Sequence, residues 1–239
     1  MKLTIFFIIL VISILQVDSD LDVKPPGHPC SSENDQACTA RPGPVSECQG
    51  YELAAAGGQS SGSHYAAAHD FKLAAECYGK SNNPTKAQEF YTKAAQEYEI
   101  FATEKQSEGN LPVAAFNFKN AVECYEKAKN PIKVQELYTK AAREYELAAA
   151  SHQLRGFHYM VALSFKNAAE CYEKLNNPTK AQETYAKAAT EFELVAAEYQ
   201  SKGDHRWAAI NFKEAAECYD KLGNSTKAQE MRDKAAKLG

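Results

Sequence analysis

The chain has 239 residues, a formal net charge of −4, 44% hydrophobic and 24% charged residues. The charges are interspersed rather than blocked, with neither a basic tract for nucleic acid nor an acidic tail. Charge therefore excludes a nucleic-acid-binding protein and points to no other partner class.

Lys2 is followed by an almost unbroken apolar run from Leu3 to Leu15 and by Val17-Asp18-Ser19. This order predicts a signal peptide over residues 1–19, cleaved after about Ser19. The run is shorter than the roughly 20 residues of a bilayer span. An uncleaved anchor is the alternative, and the expected mature protein is secreted with no transmembrane segment. Residues 20–49 form a different stretch, with Pro25, Pro26, Pro29, Pro42 and Pro44 and three cysteines among Ser, Glu, Asn and Gly. Its apolar content is too low for a core, so an irregular leader is expected. In an oxidising compartment Cys30, Cys38 and Cys48 are disulfide candidates. Three cannot all pair with one another, which leaves a disulfide-linked dimer open.

From residue 50 to 239 the chain repeats itself. Ala-Ala-Glu-Cys-Tyr ends at Tyr78, returns as Ala-Val-Glu-Cys-Tyr at Tyr125, and recurs at Tyr172 and Tyr219, each step being 47 residues. Gly62, Gly109, Gly156 and Gly203 keep that step, as do Phe71, Phe118, Phe165 and Phe212. A fixed period of this length marks an array in which each unit completes its neighbour's core.

Within a unit, Asn83-Pro84 reads as a helix start, since Asn caps free N–H groups and Pro lacks only a donor that the first turn leaves unused. Asn130-Pro131, Asn177-Pro178 and Asn224-Ser225 repeat it. Ala87, Phe90, Tyr91, Ala94, Ala95, Tyr98, Phe101 and Ala102 then fall on one face of a first helix of about 22 residues. Glu89/Lys93, Glu136/Lys140, Glu183/Lys187 and Glu230/Lys234 add i,i+4 pairs. Gly109 stops the helix as a left-handed residue would. A second helix of about 17 residues follows, capped by Asn110, Ser63 or Asp204, whereas Phe157 offers no cap. Its apolar face is Leu111, Ala114, Ala115, Phe118, Ala121, Val122 and Tyr125. The opening copy, from Tyr51, carries Gly57 and Gly58 and is expected to be short or frayed; a lone first-type helix from Ser225 to about Leu238 caps the array. No period-two alternation predicts a strand. The fold class is all-α: an α-solenoid of four antiparallel helix pairs and a capping helix.

The second helices carry Ala67-x-x-x-Phe71-x-x-Ala74, Ala114/Phe118/Ala121, Ala162/Phe165 beside Val161, and Ala208/Phe212/Ala215. This small–aromatic–small packing resembles the second helix of a tetratricopeptide (TPR) repeat. The longer period, and Phe90-Tyr91 where a TPR has Gly next to Leu, is more similar to the soluble NSF-attachment proteins (SNAPs). That resemblance covers residues 51–239. It implies long TPR-like helices and, as an alternative function, an adaptor that binds SNARE helical bundles in vesicle fusion and intracellular protein transport.

No residue group suggests catalysis, a cofactor or a metal. Cys77, Cys124, Cys171 and Cys218 are equivalent across units and too far apart to bridge one another, so each is expected to be a small buried side chain beside Tyr. His64, His158 and His205 are likewise separated by whole units, which points to structural roles. Asn224-Ser225-Thr226 is the sole N-glycosylation sequon, because Pro disqualifies Asn83-Pro84-Thr85 and Asn177-Pro178-Thr179. The units differ most at the turn between their helices, over Lys105–Val113, His152–Met160 and Lys202–Trp207. Arg155, Phe157, Tyr159, Met160, Arg206 and Trp207 gather there, and Arg, Trp and Tyr are frequent interface anchors. A second candidate surface is the first-helix face bearing Lys86, Gln88, Glu89 and Lys93. The expected function is an exported, non-catalytic scaffold for a protein or peptide partner, a helical one included. A disulfide-linked extracellular structural protein is the further alternative.

Overall fold

A computed structural model of the chain describes residues 44–238. Among these residues there are nine helices and no strand: α1 (Pro44–Ser60), α2 (His64–Lys80), α3 (Pro84–Ser107), α4 (Leu111–Lys127), α5 (Pro131–Gln153), α6 (His158–Lys174), α7 (Pro178–Ser201), α8 (His205–Lys221) and α9 (Ser225–Ala236). Each packs chiefly on its neighbours in sequence. The odd-numbered helices are the first helices of the units, the even-numbered ones the second. The chain is a TPR/SNAP-like α-solenoid.

The helix starts follow from their caps. Asn83, Asn130, Asn177 and Asn224 each accept a bond through Oδ1 from the N–H three residues on, at 3.1–3.2 Å. Asp204 caps the N–H of Trp207 at 3.2 Å. Ser63 and Asn110 make no such bond, against expectation. Their turns are closed by backbone instead: Gly109 adopts φ +75°, its N–H reaches the Gln106 carbonyl, and the Asn110 N–H reaches that of Lys105. This is the 6→1, 5→2 closure that a left-handed residue permits. Between units the same conformation falls on Asn82, Lys129, Asn176 and Gly223.

The core is a run of alanines and rings. Phe71, Phe118, Phe212, Tyr78, Tyr125, Tyr172 and Tyr219 are buried, as are Ala94, Ala95, Ala121 and Val122, while Phe165 is half-buried. Alanine lets helices approach near the lower end of the usual 8–10 Å spacing. The four tyrosines also explain their own recurrence. Tyr125 donates to Glu99 of α3 at 2.7 Å, and Lys133 of α5 reaches the same carboxylate at 3.2 Å. Tyr78, Glu52 and Lys86 repeat the group, as do Tyr172, Glu146 and Lys180 and Tyr219, Glu193 and Lys227. Each group ties three consecutive helices. Second helices are cross-linked by Lys72–Glu123, Lys119–Glu170 and Lys166–Glu217, at 2.7–3.2 Å.

Two expectations about the N-terminal end are corrected. The opening helix is short, as expected, with 17 residues against 23–24 in α3, α5 and α7, but it starts early: α1 begins at Pro44, inside the composition-defined leader, and continues through Gly57 and Gly58. A Cβ on Gly58 would stand 3.0 Å from the Ala67 backbone nitrogen, so glycine there admits α2. Cys77 is not a bystander thiol: it is bonded to Cys48, with Cα atoms 5.5 Å apart. Early onset of α1 places Cys48 against α2. Cys30 and Cys38, the signal peptide and its cleavage site lie outside the described residues. Cys124, Cys171 and Cys218 are free and buried. Burial pushes each thiol up to about 12.

Candidate protein-binding surface

The turn-edge candidates fall into two groups. Arg155 lies exposed in the turn after α5, Phe157 is the residue before α6, and Tyr159 and Met160 sit in its first turn. Arg206 and Trp207 occupy the first turn of α8. Phe157 lies against His152, ring centroids 6.4 Å apart, and Tyr159 against Phe192 at 6.3 Å. Burial and the Arg155 charge hold His152 below the usual imidazole range. Trp207 packs on the Tyr199 ring of α7 at 6.2 Å. Burial raises the Tyr159 phenol, Glu214 and Tyr199 add to this, and Lys166 opposes it. Tyr159 and Trp207 thus each rest on a ring of α7, Phe192 and Tyr199 respectively. No direct bond joins Arg155 or Phe157 to Arg206 or Trp207 among the described residues.

The polar residues proposed for the first-helix face are occupied. Lys86 serves the Tyr78 group, Gln88 donates to the Ala128 carbonyl at 2.7 Å, and Lys93 pairs with Glu89 at 2.7 Å. The equivalents Glu136–Lys140, Glu183–Lys187 and Glu230–Lys234 pair at 2.6–2.7 Å. Beside these exposed ion pairs the face also leaves apolar residues in solvent. Leu53, Ile100, Leu147 and Leu194 stand at equivalent positions of α1, α3, α5 and α7 and are 42–75% exposed. Each follows the glutamate of a Tyr–Glu–Lys group, so that network holds its helix position. Small residues flank them one turn on: Thr103, Ala150 and Ala197, all exposed. A large aliphatic side chain kept outward in four units is a patch rather than a scattered residue. Ile100 falls off the buried stripe, so the apolar spacing of the helix does not mark it. Its recurrence with the preceding Glu, in all four copies, was the available signal.

His64 and His158 are structural ties. Their Nδ1 atoms meet Glu97 and Glu191 of the following first helix at 2.7 and 2.8 Å. In the second unit Leu111 replaces the histidine, and Glu144 is left buried with Oε1 bonded to Gln106 at 2.7 Å and Oε2 unpartnered among the described residues. Among those residues no helix is long and apolar enough to cross a membrane.

Residues 113–238 match the family model of the soluble NSF attachment protein, SNAP. The match covers more than half of the chain, from within α4 to just past α9, and the chain belongs to that family. A search of curated proteins gives no match. Solved structures that resemble it include BtubC (BKLC) from P. vanneervenii, at 15% identity over 82% of this chain and 91% of that chain, TM-score 0.34. The DHF119 filament matches at 15% identity over 81% and 95%, TM-score 0.39. The P58(IPK) TPR domain matches at 16% identity over 81% and 66%, TM-score 0.21.

Proposed function

We propose that the chain is an exported, non-catalytic scaffold that holds a helical protein partner across its first helices. The observation that carries this is the exposed aliphatic residue repeated once per unit. Side chains of successive first helices meet directly, through Gln59–Glu97 at 2.5 Å and Gln106–Glu144 at 2.7 Å. Successive knobs are then separated by roughly one layer, on the order of 10 Å. Seven residues of a helix rise about the same distance. A helix with one apolar residue per heptad, laid across the array, meets one knob per heptad. The exposed Tyr159 and Trp207 rings supply aromatic contacts at the turn edge. Export is supported by the N-terminal apolar run and by Cys48–Cys77, a bond that belongs to oxidising compartments.

The test is titration of the full chain with a synthetic heptad-patterned coiled-coil peptide. Ile100→Ser/Leu147→Ser is expected to weaken saturable binding at least tenfold with helicity unchanged. Unaltered binding in that variant, lost instead in Arg206→Ala/Trp207→Ala, would move the site to the turn edge. Family membership favours a second reading, a cytosolic adaptor for SNARE helical bundles. The N-terminal residue and compartment of the native protein separate the two: a start near Asp20 outside the cell supports export, and an intact Met1 facing the cytosol supports the adaptor.

A further inference from the structure

The four helix starts that share an asparagine cap differ in one chemical respect. In three of them Pro84, Pro131 and Pro178 follow the asparagine, and a proline there prevents N-glycosylation. In the fourth, Ser225 follows Asn224 and Thr226 completes an acceptor sequence. Asn224, Ser225 and Thr226 are all exposed. The cap itself does not occupy the reacting atom. Asn224 accepts the Lys227 N–H through Oδ1 at 3.1 Å, whereas a glycan attaches at Nδ2. An N-glycosylated asparagine keeps its carbonyl oxygen, so cap and glycan are compatible on one side chain. The position in the array adds to this. Asn224 heads α9, which packs on α8 alone among the described helices at substantial contact. A helix with one such neighbour among the described residues opens locally without separating two interfaces.

We propose that Asn224 is an N-glycosylation site, a proposal that rests on the export reading. The co-reactant is a polyprenyl-diphosphate-linked oligosaccharide delivered by the transferase of a secretory compartment. Nδ2 attacks the anomeric carbon of the first sugar and a C–N bond forms. The bond from that carbon to the diphosphate oxygen breaks, the lipid diphosphate leaves with the electron pair, and the amide proton passes to a base on the transferase. No oxidation change occurs. The glycan then stands at the α8–α9 turn.

The experiment uses the full chain in a secreting eukaryotic cell in two forms: with its own N-terminus, and with residues 20–239 behind a proven secretory signal. The secreted product is digested with a glycan-releasing amidase and analysed by peptide mass. In the second form the peptide containing Asn224 is expected to carry a hexosamine-rooted glycan that the amidase removes, leaving Asp at 224. Ser225→Pro is expected to abolish the glycan while preserving helicity and thermal midpoint, because the other three units already place Pro after the capping asparagine. An unmodified Asn224 in secreted protein from the second form overturns the site. If the second form is glycosylated and the first is neither secreted nor modified, the export reading falls and the acceptor assignment stands.

Discussion

Glu97 and Glu144 occupy the same place in successive units and face different partners. Glu97 meets the His64 ring at 2.7 Å and the Gln59 amide at 2.5 Å. Glu144, 2% exposed, keeps the glutamine bond but faces Leu111 where the histidine would be. Removing charge should therefore act in opposite directions at the two sites. Glu97→Gln is expected to lower stability by about 1.5–3 kcal/mol, the usual magnitude for a hydrogen bond to a charged group. Glu144→Gln is expected to leave stability unchanged or raise it by about 1 kcal/mol, since an imperfectly paired buried carboxylate carries an uncompensated desolvation penalty. Urea denaturation of the two variants side by side measures the difference. Equal losses in both would mean that Glu144 has a compensating partner.

At the level of the helix, stability rests on rings set between alanine-rich faces. Phe118 is fully enclosed in α4, and Lys140 of the next unit approaches its ring face at 5.8 Å. Phe118→Ala is expected to destabilise by roughly 3–5 kcal/mol, as buried aromatic truncations do; an unchanged urea midpoint would show that neighbouring helices close the space. The helices themselves were legible in the sequence because their signals are local. Asn-Pro starts, glycines at positive φ, the Phe and Tyr spacing and the i,i+4 charge pairs all act within a turn or two. The features that escaped depend on distant partners. Composition hid the onset of α1, since Pro42 and Pro44 resemble linker residues until Pro44 is seen as a helix start. With that start unseen, Cys48 had no place beside Cys77. Ile100 and Leu147 escaped for a related reason: a side chain that faces away from the core leaves no mark in the buried periodicity. The edge aromatics Tyr159 and Trp207 were legible from unit-to-unit variation, but Tyr199, on which Trp207 packs, was not.

Over the whole molecule, ion pairs between layers define how folding responds to pH. Burial alone would raise the Glu123 pKa, but bonds and charge from Lys72 and Lys127 outweigh it and hold the group below its ordinary 4.5. Glu136 is held down by Lys140 and Lys133. Conversely, burial would lower Lys166, Lys127 and Lys133, and their glutamates instead hold them above the ordinary 10.5. A carboxylate with a depressed folded-state pKa contributes stability that is present above its unfolded value and lost as pH falls. A lysine with a raised one contributes stability that is present below its unfolded value and lost as pH rises. The buried His152 imidazole adds a loss below its ordinary 6.5 and the buried thiols of Cys124, Cys171 and Cys218 add one above their ordinary 9.0, so the urea midpoint, followed by circular dichroism, is expected to be flat only from about pH 7 to about pH 8.5 and to fall on both sides. A steady rise through that window would show that these pairs do not govern the titration.

The two ends of the array are secured differently. Cys48–Cys77 fastens α1 to α2 covalently, while α9 is held by the Tyr219–Glu193–Lys227 group, the Arg232–Asp220 pair and the burial of Ala228, Met231 and Ala235. Under mechanical load the oxidised chain thus has a preferred direction of failure. Force applied between its termini peels it from α9 inward one layer at a time, and the stapled first pair is the last to yield.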